Sequence, residues 1–159
     1  MTGTRESEGT AAIRRILVGI DGSEDGTNAV RWCAELAAAI GAEVVAVHAP
    51  DMPAHSYSVF GDAEMVGEDV VTSLLDRFQV LLEGEWTQPL RDAGVTYHTR
   101  LDPGNAPSII MRAAAEEDVD LIVVGRRGRG GFTELVLGSV SHELTHHARQ
   151  PVTVVPLKK

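Results

Sequence analysis

The chain has 159 residues, the length of one domain at roughly 150 residues each, and needs no disulfide staples to bury a core. Aromatic residues make up only 4%, so the core must be built from Val, Ile, Leu and Ala. The formal net charge of −9 excludes a protein that coats a nucleic-acid backbone or docks on anionic lipid, but leaves room for a local basic cluster around one anion.

Residues 1 to about 12 are small and polar without periodicity and are expected to form a disordered tail. Ile16 to Ile20 is a short apolar run halted by Asp21-Gly22-Ser23, the pattern of a buried strand ending in a turn. Ser23 is a good helix N-cap, and Glu24 and Asp25 suit the positive end of a helix. Val30, Cys33, Ala37 and Ile40 recur at helical spacing up to Gly41, which ends that helix. Val44 to Val47 is a second strand. From Pro50 to about Gly67 the period is lost, which suggests a lid, a binding loop or disorder. Val70, Val71, Leu74, Leu75, Phe78, Leu81 and Leu82 mark a second helix, weakened at Gly84 and kinked or ended by Pro89. Val95 to Leu101 alternates as a third strand. Asn105 caps a third helix that carries Pro107 in its first turn. Leu121 to Val124 is a fourth strand, apolar throughout as in a sheet covered on both faces. After a glycine-rich loop, Val136, Val140, Leu144 and Ala148 fall on one face of a last helix stopped by Pro151, and Val152 to Val155 is the fifth strand.

Five strands alternating with helices predict an α/β fold, an open, doubly wound, mainly parallel sheet with helices on both faces. Ligands bind such sheets beyond the carboxyl ends of the strands, where the strand order reverses. The two loops richest in glycine and hydroxyl groups follow strands one and four. The second of these runs Gly125-Arg126-Arg127-Gly128-Arg129-Gly130-Gly131 and continues to Gly138-Ser139-Val140-Ser141, where the last helix begins. Glycines let a ligand approach the backbone closely. Successive N–H groups and a helix N-terminus make an anion cradle. The chemistry points to phosphate; the competing possibility is a surface turn that binds nothing. A Walker loop is excluded because Gly-Lys-Ser/Thr does not occur. The dinucleotide fingerprint GxGxxG fails because Thr133 stands where its last glycine should be.

Gly125-x2-Gly128-x9-Gly138-Ser139 resembles the nucleotide motif of the universal stress proteins, in their ATP-binding branch. Ile16 to Ser23, Pro103-Gly104 and Pro151 to Val155 carry the resemblance over about Arg15 to Pro156. It implies a single domain over residues 13–159 with strand order 3-2-1-4-5, binding ATP or a related adenine nucleotide as a cytoplasmic stress-response module. Asp21 would lie near the ribose and phosphates, with magnesium between. Gly19 would let the nucleotide lie close to strand one, and Ala49 would offer its backbone to the adenine edge. Gly125 and Gly128 would line the ribose and phosphates. Gly138, Ser139, Val140 and Ser141 would bind phosphates through N–H groups and hydroxyls. A homodimer through Val152 to Val155 is expected, with nucleotide occupancy tuning dimer or partner contacts, and no more than a slow ATPase. The three loop arginines depart from the neutral residues common in the family; Arg126 is expected to be solvated, while Arg127 and Arg129 stay open.

His142-Glu143-Leu144-Thr145-His146 matches the HExxH string of zinc hydrolases. A catalytic zinc needs a third protein ligand. No Asp or Glu follows His146, and Arg149 replaces the glycine of the extended metzincin motif. Leu144 on the apolar stripe is about 200° around the helix from both histidines, which therefore face solvent. The string is read as a decoy or a surface metal site. Cys33, the lone cysteine, falls on an apolar helix face as a buried structural thiol. His48 ends strand two, packed or facing the proposed site. Asp62, Glu64, Glu68 and Asp69 form a solvated acidic segment. No apolar run approaches the ~20 residues of a membrane helix, and the N-terminal residues lack a signal-peptide pattern. The rival functions are the same fold with another small ligand or only a protein partner, and, remotely, the zinc hydrolase.

Overall fold

The computed structural model describes residues 12–51, 68–128 and 137–157. The expected tail up to residue 11, the segment 52–67 with Asp62 and Glu64, and residues 129–136 with Arg129 and Val136 lie outside the described residues.

The apolar run near the start forms β1 (Arg15–Gly19). Ser23 then caps α1 (Glu24–Ile40), its hydroxyl accepting from the Gly26 N–H, and Gly41 closes the helix at φ 72°. β2 (Glu43–His48) follows. α2 (Glu68–Glu83) ends one residue past Leu82, the last of its periodic positions, and just before Gly84. A side chain at Gly84 would meet the Val80 carbonyl at 2.8 Å, and a 3₁₀ turn takes over at Glu85–Thr87. Pro89 neither kinks nor ends α2. It lies in the first turn of a separate short helix, α3 (Gln88–Asp92), where its missing N–H has no partner to lose. β3 (Tyr97–Leu101) starts two residues later than the alternation begins, and Val95 instead packs in the core. Asn105 caps α4 (Ala106–Glu116), accepting from the Ser108 N–H. β4 (Leu121–Gly125) leads toward α5 (Ser139–His147), and β5 (Val152–Val155) ends the sheet. Ala148, placed on the helical stripe by its spacing, is the extended C-cap of α5, so the helix stops at His147, four residues before Pro151.

All strand pairs are parallel, and the order is β3-β2-β1-β4-β5. The chain winds outward from β1 to β3, then crosses to β4 and β5 on the other side. The reversal therefore falls between β1 and β4, where Val18 pairs with both Ala46 and Val123. Alternation along the strands divides the core. Ile16, Val18, Val44 and Ala46 pack under α1 with Leu82, Trp86 and Leu90. Leu17, Val45, Val47 and Val124 pack under α4 and Leu144 of α5. Cys33 is fully buried in the first layer, and burial pushes its thiol up to about 12, as expected of a structural cysteine. Among the described residues no helix is long and apolar enough to cross a membrane.

At the end of the sheet away from the reversal crevice, one Asp120 carboxylate oxygen accepts the N–H groups of Arg14 and Arg15 at 2.8 and 3.0 Å, pinning the start of β1 to that of β4. The Arg14 and then the Arg15 N–H bonds hold the Asp120 carboxyl below its ordinary value. A depressed folded-state pKa contributes stability above the unfolded value of about 3.9, lost as pH falls through the folded value. Asp120→Ala should therefore cost about 1 kcal/mol at neutral pH, given its exposure. Urea titrations of the two proteins should converge below the carboxylate range.

Candidate functional site

The crevice at the reversal is built from the ends of β1 and β4 and the first turns of α1 and α5. Past β1, the Asp21 carboxylate accepts from the Ser23 N–H at 2.9 Å and the Ser23 hydroxyl at 2.5 Å. The same hydroxyl accepts from the Gly26 N–H at 3.0 Å. The cap of α1 thus also orients Asp21. A Cβ at Gly125, the last residue of β4, would lie 2.7 Å from the Asp25 carbonyl carbon and 2.9 Å from the Gly26 nitrogen. Only glycine lets the helix turn come so near the strand end. The Asp25 carboxylate, 7% exposed, accepts the Arg127 N–H at 3.0 Å and so ties the glycine loop to α1.

The far end of the loop is fastened to its near end. The Gly138 N–H and the Ser141 hydroxyl both donate to the Arg126 carbonyl at 2.8 Å, and the Arg126 N–H donates to Val155 at 3.0 Å. A Cβ at Gly138 would crowd the Arg127 Cα at 3.2 Å and the Arg126 carbonyl oxygen at 3.3 Å. Gly138 is also the N-cap of α5 and supplies no side chain to bond its first N–H groups. Those groups and the helix dipole make the start of α5 suited to an anion.

These elements enclose a cleft of about 640 Å³, within the roughly 300–1,000 Å³ of small-molecule sites. Gly19, Asp21, Ala49, Gly125, Gly128, Gly138, Ser139, Val140 and Ser141, all singled out from the sequence, line it together. Its apolar wall, Val47, Ile110 and Val124, is not evident from the sequence, because which strand face meets α4 depends on the sheet order. Asp25 reads in the sequence only as an acid at a helix N-terminus; its hold on the loop comes from tertiary packing. Arg126 and Arg127 both line the cleft. Arg126 is not the solvated side chain expected: it is half-buried, with its Nε enclosed.

His48 does not join the site. It is buried on the α2 side of the sheet, its Nδ1–H donating to the Ile20 carbonyl at 2.7 Å and its ring edge-on to Phe78 and Trp86. His142 and His146 are exposed as expected, and Leu144 between them is buried. Among the described residues no group of three or more metal-ligating side chains forms, so none of them gives the HExxH string the third ligand of a zinc hydrolase. His142, however, lines the cleft.

The family model described as the universal stress protein family matches residues 12–156. A universal stress protein of Mycobacterium tuberculosis is 34% identical over 145 residues, covering 87% of this chain and 44% of the relative. The chain thus spans less than half the length of that mycobacterial protein. A universal stress protein of Bacillus subtilis is 31% identical over 146 residues, covering 89% of this chain and 97% of the relative. Among solved structures, a universal stress protein from Lactobacillus plantarum superposes with a TM-score of 0.76 at 22% identity, covering 92% and 99% of the two chains. One from Archaeoglobus fulgidus in complex with dAMP superposes with a TM-score of 0.61 at 20% identity, covering 91% and 98%. A universal stress protein in complex with cAMP gives 0.63 at 23%, covering 92% and 98%. The chain belongs to the universal stress protein family.

The close approaches distinguish two glycines. At Gly125 the obstacle is helix backbone; at Gly128 it is Oδ2 of Asp21, 2.7 Å away at a side-chain end, and a small shift there keeps the Ser23 bonds to Oδ1. Gly125→Ala should destabilise by about 1–3 kcal/mol. Gly128→Ala should stay within about 0.5 kcal/mol of the parent. Urea unfolding of both variants checks the contrast.

Proposed function

We propose that this member of the universal stress protein family binds ATP or a related adenine nucleotide in the cleft between β1 and β4. The observation that carries the proposal is the joining, in one cleft, of an apolar wall to a glycine-lined helix N-terminus. The wall of Val47, Ile110 and Val124 suits an uncharged planar base, with the Ala49 backbone at its polar edge. Gly19, Gly125 and Gly128 line the part of the cleft proposed for the ribose. The N–H groups of Ser139, Val140 and Ser141, with the serine hydroxyls, meet the phosphates. Arg126 and Arg127 supply positive charge to a chain that is otherwise acidic. The dAMP and cAMP complexes of family members support an adenine nucleotide as the ligand class.

Asp21 is suited to magnesium. It brings a single carboxylate to the phosphate end of the cleft, and magnesium is commonly held by one or two carboxylates with phosphate oxygens and water. When bound, magnesium would neutralise phosphate charge next to that carboxylate. Among the described cleft residues only Asp21 and His142 could act as a base, and the proposed function is binding rather than turnover, with at most slow ATP hydrolysis. The domain, residues 13–159, acts as a cytoplasmic stress-response module. Its ligand works by differential affinity, shifting a dimer or partner equilibrium.

β5 is the dimerisation edge. Its Pro151 and Val155 carbonyls bond toward β4. In a parallel strand the alternate residues, Val152 and Val154, then turn their backbone groups outward for a second copy. The Arg126 N–H bond to Val155 links this edge to the loop at the cleft.

Calorimetry should give micromolar affinity for ATP or a related adenine nucleotide. Gly138→Val should weaken it at least tenfold while circular dichroism stays unchanged. No heat at millimolar concentrations of ATP, ADP, AMP or cAMP would overturn the nucleotide reading. In sedimentation, the parent should be a dimer and Val154→Pro a folded monomer.

A further inference from the structure

The two histidines of the HExxH string remain unexplained by nucleotide binding alone. They lie four apart on α5 and so share a face, with ring centroids 4.3 Å apart and planes inclined by 39°. The His146 Nδ1–H donates to the His142 carbonyl at 2.8 Å. That bond fixes the tautomer and leaves the Nε2 lone pair as the ligating atom, the arrangement that orients histidines around zinc. Both side chains are exposed, so a hydrated cation reaches them without burying charge. His146 lies in the last turn of α5, where the helix dipole favours a positive charge.

We propose that His142 and His146 form a two-imidazole site for a divalent cation of the zinc class. A phosphate oxygen of the ligand in the cleft completes its coordination. Two imidazoles supply half of a tetrahedral shell, and among the described residues no third metal-ligating side chain joins them. The remaining positions fall to water or to an external anion. His142 lines the cleft, and its N–H donates to the Gly138 carbonyl at 2.9 Å. The phosphate end proposed for the cleft is thus one turn earlier on the same helix. Imidazole pairs select zinc, copper or nickel over magnesium, so this site differs in chemistry from the carboxylate of Asp21. With two protein ligands rather than three, it links metal and ligand binding and is not a hydrolytic centre. The phosphate completion rests on the nucleotide reading; the imidazole pair does not.

The test is a titration of tag-free protein with buffered Zn²⁺, first without nucleotide and then with saturating ATP. Without nucleotide, one equivalent should bind at micromolar affinity. His142→Ala and His146→Ala should each weaken it at least tenfold. His147→Ala should change it less than twofold, since that ring is 6.3 Å from His146 and on an adjacent face. With ATP present, zinc affinity should rise at least tenfold, and ATP affinity should rise by the same factor in zinc, as linkage requires. Zinc binding that is absent, millimolar, or unmoved by either substitution would overturn the site. Zinc binding that needs both histidines but is unchanged by a nucleotide that does bind would overturn the phosphate completion. If ATP fails to bind at all, the nucleotide reading falls, and the metal-only titration still decides the imidazole pair.

Discussion

The close approach of the first turn of α1 to the end of β4 is the constraint on which the rest of the site depends. Gly125 permits it, because any side chain there would enter the backbone of Asp25 and Gly26. The Asp25 carboxylate then holds the Arg127 N–H, fixing where the glycine loop leaves the sheet. The Ser23 cap of the same helix orients Asp21 toward the cleft. Across the loop, the Arg126 carbonyl collects the Gly138 N–H and the Ser141 hydroxyl and so sets the start of α5. The end of the cleft proposed for phosphate is therefore formed by a chain of short contacts between backbone groups and the side chains of Ser23, Asp25 and Ser141. The sheet beneath supplies rigidity, and the bonds above supply position.

Much of this arrangement is local in origin and so can be read from the chain. Ser23, Gly41 and Asn105 act through bonds within a turn of themselves, and each ends or begins a helix where its chemistry places it. The apolar runs of β1, β2, β4 and β5 need only burial on both faces. All nine site positions, from Gly19 to Ser141, come together because they lie at the ends of β1 and β4, in the loops after β1, β2 and β4, or at the start of α5. What depends on tertiary packing is less visible. The apolar wall at Val47, Ile110 and Val124 requires knowing which strand face meets α4. The tether at Asp25 looks like an ordinary dipole-complementing acid. The enclosure of Arg126 follows from the return of the chain at Gly138, not from any feature of the arginine itself.

Two errors of pattern have a common cause. The periodicity of α2 stops at Leu82 and carries no information about the 3₁₀ turn that follows, so Pro89 looks like a terminator when it is an initiator. Likewise Ala148 keeps helical spacing but has left the helix, and it packs on the same core from an extended conformation. Hydrophobic position survives a change of secondary structure where the core demands it. The HExxH string is the converse case. Its spacing puts two imidazoles together on α5, but the described residues bring no third ligand beside them; they bring the cleft instead.

The central claim is that the start of α5 and the loop after β4 hold the phosphates of an adenine nucleotide. Backbone amide spectroscopy of the protein with and without saturating magnesium-ATP tests it most directly. The largest shifts and new exchange protection should fall on the amides of Ser139, Val140 and Ser141 and of Gly125 to Gly128, with smaller changes at Ala49 and Ile110. Perturbation confined to other surfaces, or none at saturating nucleotide, would contradict it.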